Sequence, residues 1–272
     1  MRSPLPGVKE MLIGPTGTGK TTSVKTLLEA GITPMYMATE PSFEVLGKDL
    51  GERIPCRYIQ PVAESLDVII DKATKVATMT FEAMTKVYDA NRSRDNKFLD
   101  FVKSLNDFKC DITGKSYGPA KNWGTDKCLV IDSLSGLSLM TMYMVVGTKP
   151  AKDQKDWGLA QDQLEGLINW LCTSLRCHVV LTAHPEREVS ETEGSQIMAS
   201  TLGKKLAPKL PRFFSDVILT QRQGTKFLWS TAAPGADLKA RNLPVAEGLL
   251  PSFVQVIDTW KSRGGLIEKE PA

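Results

Sequence analysis

The sequence contains the stretch Gly14-Pro15-Thr16-Gly17-Thr18-Gly19-Lys20-Thr21, which fits the phosphate-loop pattern G-x-x-x-x-G-K-[ST]. The apolar run Met11-Leu12-Ile13 before it predicts a short buried strand, and residues 22–30 after it predict a helix. A strand, a glycine-rich loop and a helix are the context in which this motif binds phosphate, whereas a glycine-rich turn that fits by chance would need neither flank. We therefore predict a nucleotide phosphate site at residues 14–21.

The residue types in this loop suit a polyphosphate and its metal ion. Glycines allow successive backbone N–H groups to face an anion, and the N-terminus of the helix adds partial positive charge. Lys20 can reach the β- and γ-phosphates, and the Thr21 hydroxyl can ligate Mg²⁺. The predicted nucleotide contacts are Gly14, Pro15, Thr16, Gly17, Thr18, Gly19, Lys20, Thr21 and Thr22.

A second motif follows at residues 128–133, which read Cys-Leu-Val-Ile-Asp-Ser. As a Walker B strand, this segment would deliver Asp132 to the Mg²⁺ shell beside Thr21. The alternative is a buried strand whose Asp132 or Ser133 caps the next helix. Because the same chain carries the phosphate loop, we favour the Walker B interpretation and a metal role for Thr21 and Asp132.

Two further polar residues follow predicted strands. Residues 35–39 predict a strand that ends on Glu40, and residues 178–182 predict one that ends near His184. Parallel α/β sheets bind ligands at the carboxyl ends of their strands. Glu40 is therefore either a water-positioning residue at the γ-phosphate or a solvated loop glutamate, and position alone leaves both open. His184 either senses phosphate or bonds to a loop.

Composition narrows the class of protein. The 272 residues are 42% hydrophobic, enough for one core with or without an insertion. The formal net charge of +3 means that any nucleic-acid surface must be a local patch. The five cysteines form no C-x-x-C pair and only two histidines are present, which argues against a zinc finger or a disulfide framework. This cysteine usage is typical of the reducing cytoplasm, where we expect the protein to be. No apolar run approaches transmembrane length, so we expect no membrane span.

Together with the strands described above, the other predicted helices and strands indicate an α/β fold with a mainly parallel sheet. Apolar residues at spacings of three and four predict helices over residues 64–90, 92–109, 134–146 and 156–176. Residues 216–220 and 226–231 predict a β-hairpin towards the C-terminus. Residues 185–202 are polar, lack a clear period and begin with an acidic half, which predicts a long functional or mobile loop.

Two groups of cations could contact phosphate. The cations between residues 204 and 212 have no acid among them and are candidate DNA-backbone contacts, or else an ordinary solvated helix face: Lys204, Lys205, Lys209 and Arg212. Lys239 and Arg241 stand two residues apart on a predicted extended segment, so both would point to one side. They are either a finger that reaches a neighbouring subunit's γ-phosphate or part of a surface turn.

The order of these parts resembles the ATPase core of the RecA recombinase family. The resemblance covers roughly residues 8–245 and implies a RecA-like P-loop NTPase core with a mainly parallel central sheet flanked by helices, ending in the C-terminal hairpin. It also implies that ATP is the nucleotide, that Glu40 is the catalytic glutamate and that His184 stands where the family usually has a glutamine sensor. The DNA-binding loop would fall at about residues 185–202.

The chain looks most similar to the short phage-encoded, Sak-type RecA-like proteins, which anneal single strands. The matching segments are residues 202–208 and Lys239-Ala240-Arg241, and the latter also resembles the trans-acting finger of RecA-fold hexameric helicases. The resemblance implies single-stranded DNA as partner, a homo-oligomeric ring or filament with a shared ATP site, a single-strand-binding protein as a further partner, and the host cytoplasm as location. Residues 1–272 would form one domain with a helical and loop insertion at about 75–127.

We therefore expect a Mg²⁺-dependent, DNA-stimulated ATPase that acts on single-stranded DNA in phage recombination or annealing. Lys20, Glu40 and His184, together with Lys239 and Arg241 of a neighbour, would perform catalysis. One alternative is an ATPase module that loads a helicase or serves as its adaptor. Another is a nucleotide kinase, although such enzymes usually bring several arginines in a lid, and residues 185–202 contain only Arg187.

Overall fold

The structure is a computed structural model that describes residues 5–41, 43–61, 66–80, 82–83, 96–147, 152–190 and 194–269. Its strands are β1 (Lys9–Ile13), β2 (Thr33–Ala38), β3 (Cys56–Tyr58), β4 (Lys127–Asp132), β5 (His178–Ala183), β6 (Pro185–Ser190), β7 (Gly194–Ala199), β8 (Asp216–Gln223) and β9 (Lys226–Ser230). Its α-helices are α1 (Lys20–Ser23), α2 (Lys25–Glu29), α3 (Leu66–Thr78), α4 (Lys97–Asn106), α5 (Leu134–Val146), α6 (Gln154–Ser174), α7 (Gly203–Leu206) and α8 (Phe253–Ser262). Short 3₁₀ helices cover Phe43–Asp49, Ala120–Asn122 and Ala207–Phe213.

Seven strands form one sheet in the order β3-β2-β4-β5-β1-β8-β9. All neighbours in it run parallel except β8 and β9, which form the antiparallel hairpin. The α/β fold with a mainly parallel sheet and a C-terminal hairpin is therefore confirmed. The register pairs Ile13 with both Ala183 and Leu219, and Ala38 with Asp132, so the carboxyl ends of the central strands meet at one edge.

Helices cover both faces of this sheet, which explains why its central strands are apolar throughout. Successive strand residues point to opposite faces, so Met11 and Ile13 join one core while Leu12 joins the other. The first core is built with α4, α5 and α6, and the second with the segment of α1 and α2 and with α8. The edge of the sheet that carries the phosphate loop is thus fixed by packing on both sides.

The part of the predicted insertion from Phe98 to Trp123 packs into the first core. Phe101, Phe108 and Trp123 are fully buried there, and the Phe108 and Trp123 rings meet edge to face at 5.6 Å between centroids. Within the helix predicted over residues 64–90, α3 ends at Thr78, residues 79–80 are not helical and residues 82–83 are helical again. Residues 62–65, 81 and 84–95 lie outside the described residues. Leu66, at the start of α3, is 70% exposed.

The loop predicted over residues 185–202 is wrong, because this segment forms the antiparallel pair β6–β7. Pairing runs from Pro185 opposite Ala199 to Ser190 opposite Gly194, and residues 191–193 lie outside the described residues. Because backbone hydrogen bonds pair the two strands, this hairpin can form without a regular spacing of apolar residues in the sequence. The Ile197 N–H also donates to the Gly235 carbonyl at 2.5 Å, which ties β7 to the chain before Lys239.

Among the described residues, no helix has the length and apolar character needed to cross a membrane.

Candidate active site

The phosphate loop follows β1 and is held between β5 and β8. The Gly14 N–H donates to the Ala183 carbonyl at 3.1 Å, and a Cβ atom at Gly14 would lie 2.0 Å from Thr220 Oγ1. Thr220 Oγ1 also lies 2.7 Å from Thr18 Oγ1. Gly19 has a φ of 86°, a left-handed conformation that suits glycine and turns the chain into α1. The loop therefore depends on glycine at Gly14 for space and at Gly19 for conformation.

Lys20 reaches back over this loop. Its ammonium donates to the carbonyl oxygens of Gly14 at 2.6 Å and Pro15 at 2.9 Å. Burial lowers the pKa of Lys20, while the nearby carboxylates of Asp132 and Glu40 act in the opposite direction. A buried cation on the inner side of a glycine-rich loop is suited to bind phosphate oxygens.

Asp132, at the end of β4, accepts three hydroxyl hydrogen bonds. Oδ2 accepts from Thr21 at 2.6 Å and from Tyr36 at 2.5 Å, and Oδ1 accepts from Thr182 at 2.5 Å. Burial, and then the charge of Asp132, raise the pKa of Tyr36, so its hydroxyl stays protonated and donates. Sequence reasoning missed Tyr36 and Thr182 because they look like ordinary members of apolar strands.

Glu40 lies beside this carboxylate, just after β2. Ser133 Oγ donates to Glu40 Oε1, and His184 Nε2 lies 3.1 Å from Glu40 Oε2. Thr39 fixes this strand end, because its N–H donates to the Asp132 carbonyl at 2.7 Å and its Oγ1 accepts from the Ser133 N–H at 2.7 Å. The structure thus brings together Lys20, Thr21, Glu40, Asp132 and His184, all predicted as site residues. Ser133 and Thr39 had no distinguishing sequence signal.

The donor set fits a magnesium nucleotide. Thr21 and Asp132 offer one hydroxyl and one carboxylate at contact distance from each other. Of the residues that the structure describes, none form a cluster of three or more His, Cys, Asp or Glu that could hold a metal ion. Mg²⁺ suits such a site because it usually takes one or two protein ligands together with substrate phosphates.

The two cations at positions 239 and 241 lie at the other end of the sheet. Lys239 pairs with Val217 in β8, which is level with Met11 rather than with the loop. The Lys239 ammonium donates to the carbonyls of Phe214 at 2.6 Å and Pro211 at 3.2 Å, whereas Arg241 is exposed. The two predicted finger residues therefore differ in environment, because backbone carbonyls of the same chain bind the Lys239 ammonium.

Asp216 holds the segment that carries Arg241. Its Oδ1 accepts backbone N–H bonds from Arg241 at 2.7 Å, Asn242 at 2.8 Å and Leu243 at 3.1 Å. Glu10 belongs to the same buried cluster as Asp216. Its burial and the neighbouring Asp216 raise the pKa of Glu10 well above its usual range. The position of Arg241 is thus set by a buried polar cluster under the amino end of β8.

The basic segment between residues 204 and 212 is partly neutralised. Lys209 and Arg212 both pair with Glu165 of α6, at 2.9 Å and 2.5 Å. Lys205 is exposed, and the side chain of Lys204 lies outside the described part of the chain. The sequence-based view of a segment without an acid is therefore incomplete, because the acid comes from another helix.

A hydrogen bond connects His184 to the β6–β7 hairpin. The Ser200 N–H, just after β7, donates to the His184 carbonyl at 2.7 Å. The side chain of the same histidine contacts Glu40. One residue thus contacts both the candidate catalytic carboxylate and the base of the hairpin.

A family model described as an AAA domain (AAA_24) matches residues 7–241. No curated protein matches this sequence. Among solved structures, the chain is similar to the RadB recombinase, at 16% sequence identity and a TM-score of 0.37, over 91% of this chain and 86% of that one.

Proposed function

Because the chain belongs to the AAA domain family of P-loop ATPases, we propose that it hydrolyses ATP with Mg²⁺ and that Glu40 polarises the attacking water. The observation that carries this proposal is the position of Glu40 beside the Thr21–Asp132 pair, with Ser133 and His184 bonded to its carboxylate. A carboxylate held by two side chains at the phosphate end of the sheet can orient water for in-line attack. A solvated loop glutamate would lack these contacts.

The remaining roles follow from the contacts of each side chain. Lys20 and the loop N–H groups would bind the phosphates. Thr21 and Asp132 would hold Mg²⁺, which when bound supplies positive charge that offsets charge on the phosphates. His184 would sense the γ-phosphate, because it contacts Glu40 and the base of the β6–β7 hairpin at once. The hairpin would then respond to the nucleotide state.

We further propose that the protein acts on single-stranded DNA in recombination or annealing, as the resemblance to Sak-type phage proteins implies. Lys205, Lys209 and Arg212 support this role, since exposed ion pairs such as those of Glu165 are worth only about 0–1 kcal/mol and can give way to phosphate. The β6–β7 segment is a weaker DNA contact, because residues 186–193 include four glutamates.

The ATP site would be shared between subunits of a ring or filament. Arg241 is exposed at the end of the sheet opposite the phosphate loop. A head-to-tail contact would place that end of one subunit against the loop of the next. Arg241 would supply the finger, and Lys239 would position the segment through the Phe214 carbonyl.

The adaptor alternative rests on a specific feature of α3. Leu66, Ile69 and Ile70 are 70%, 49% and 54% exposed, which leaves an apolar helix face for a protein partner. An adaptor of this kind would bind ATP without needing DNA to stimulate hydrolysis.

ATPase rates with and without single-stranded DNA, at low and high salt, distinguish these functions. We expect stimulation that fades as salt rises, because phosphate contacts release counterions. The double variant Lys209→Ala/Arg212→Ala should lose stimulation while keeping the basal rate, and Lys226→Ala on the β8–β9 hairpin is the matched control. Hydrolysis without stimulation at low salt would reject the DNA role and favour the adaptor.

A further inference from the structure

The phosphate loop has two different flanks at the edge of the sheet. Glu40 and His184 follow β2 and β5, and Asp132 is the last residue of β4; these three strands lie on one side of β1. On the other side, β8 pairs with β1 only as far as Leu219 and then continues alongside the loop to Gln223. If the γ-phosphate faces Glu40, the nucleoside leaves the loop towards β8 and β9.

An aromatic side chain stands on that second flank. The Phe227 ring packs against the loop, since a Cβ atom at Gly19 would lie 3.1 Å from Phe227 Cγ. The residue is nevertheless 38% exposed. Trp229, two residues on and on the same face of β9, is fully buried in the core. Phe227 therefore extends this apolar face past the core to the mouth of the loop.

A cation accompanies this ring. Arg222 is the cross-strand partner of Phe227, and its guanidinium carbon lies 5.8 Å from the centre of the ring. Arg222 Nε donates to the Gly224 carbonyl at 2.8 Å, which fixes the guanidinium at the hairpin turn. Arginine planes and aromatic rings are the two kinds of surface on which nucleobases stack.

We propose that Phe227 and Arg222 form the platform for the base of the bound nucleoside triphosphate. This inference rests on the proposed ATP site and adds the part of the ligand that the phosphate loop does not contact. Stacking uses the π-face that every base has, so the platform recognises the presence of a base more than its identity. ATP and GTP should therefore depend on Phe227 to the same degree.

Calorimetric titration of ADP and of inorganic tripolyphosphate tests the platform directly. Phe227→Leu keeps an apolar cover over Gly19 but removes the aromatic face, so ADP affinity should fall about tenfold while tripolyphosphate affinity stays unchanged. Phe227→Tyr should retain ADP affinity. Lys226→Ala, the neighbour on the opposite face of β9, should bind both ligands like the wild type.

The alternatives give different results. Equal losses of affinity for ADP and tripolyphosphate in Phe227→Leu would show that the ring only supports the loop. No loss of affinity for either ligand would show that the ring does not contact the nucleotide. Each of these results overturns the platform. ADP binding without ATP hydrolysis in the wild type would overturn the proposed activity and leave the platform supported by the same titrations. Wild-type protein that binds neither ligand would overturn both.

Discussion

Thr21 Oγ1 donates a 2.6 Å hydrogen bond to Asp132 Oδ2, across 111 positions of sequence. The other donors to this buried carboxylate, Tyr36 and Thr182, come from β2 and β5 on the two sides of β4. One carboxylate thus joins the phosphate loop to three adjacent strands. The stability of the sheet and the geometry of the site therefore depend on the same hydrogen bonds.

Tyr36→Phe should destabilise the protein by about 2 kcal/mol, because the hydrogen bond that it removes goes to a charged, buried group. Urea denaturation measures this loss as a lower midpoint with an unchanged slope. Tyr143→Phe is the control, since Tyr143 is 40% exposed and its hydroxyl should contribute less than about 0.5 kcal/mol. Equal midpoints for the two variants would contradict the role of Tyr36.

Gly14→Ala should abolish nucleotide binding, because its Cβ would lie 2.0 Å from Thr220 Oγ1 and 2.6 Å from the Thr220 carbonyl oxygen. Gly166→Ala, inside α6 with no atom within 4 Å of a new Cβ, should instead stabilise the protein by about 1 kcal/mol. Nucleotide titration and thermal melting of both variants check the pair. Normal nucleotide affinity in Gly14→Ala would mean that the loop can move away from β8.

Acid should destabilise the protein through His178. Burial lowers the pKa of this imidazole from 6.5 to about 3, and its Nδ1 accepts the Val8 N–H at 3.0 Å. Below pH 6.5 the unfolded chain binds a proton that the folded chain does not, so this contribution to stability falls with pH until about pH 3. Between pH 7 and pH 5 the loss should be about 2 kcal/mol.

His178→Asn isolates this effect, because the amide oxygen can still accept the Val8 N–H but does not titrate. The difference between wild-type and variant unfolding free energies should shrink as pH falls from 7 to 5. The raised pKa of Glu10 is common to both proteins and cancels in that difference. A difference that stays constant with pH would contradict a neutral, buried His178.

Arg241→Ala should lose ATPase activity, whereas Lys239→Ala should mainly lose about 1 kcal/mol of stability through its carbonyl contacts. An equimolar mixture of Arg241→Ala and Glu40→Gln tests the shared site, since each subunit supplies what the other lacks. In a randomly mixed head-to-tail assembly, about one interface in four combines an intact Glu40 with an intact Arg241 from the neighbour. Roughly a quarter of the wild-type rate should therefore return. A mixture as inactive as its components, or a fully active dilute Arg241→Ala monomer, would contradict sharing.

The sequence predicted the parts of this molecule that local pattern controls. The motif at residues 14–21, the β4 strand and the β8–β9 hairpin each have a short signal, and the structure has them in place. The β6–β7 hairpin had none, because its polar residues pair through the backbone. Glu165 could not be assigned to Lys209 from the sequence, since they are 44 residues apart and meet only after α6 packs.

Glu40 shows the same limit within the site itself. Its position after a strand left two roles open. The proposal that it is catalytic rests on contacts with Ser133 and His184, which lie 93 and 144 positions away and could not be assigned from the sequence. Phe227 had no signal at all, because an aromatic residue in a predicted strand indicates packing before it indicates a ligand.

The central claim is that Glu40 activates water at this site, and the steady-state ATPase rate of Glu40→Gln with Mg²⁺ tests it most directly. Glutamine keeps the length and one hydrogen-bonding oxygen but cannot polarise water as a carboxylate does, so the rate should fall about 100-fold or more while ATP affinity stays at the wild-type value. Glu44→Gln, an exposed glutamate nearby in the chain, should remain fully active. A Glu40→Gln protein that hydrolyses ATP at the wild-type rate would contradict the account.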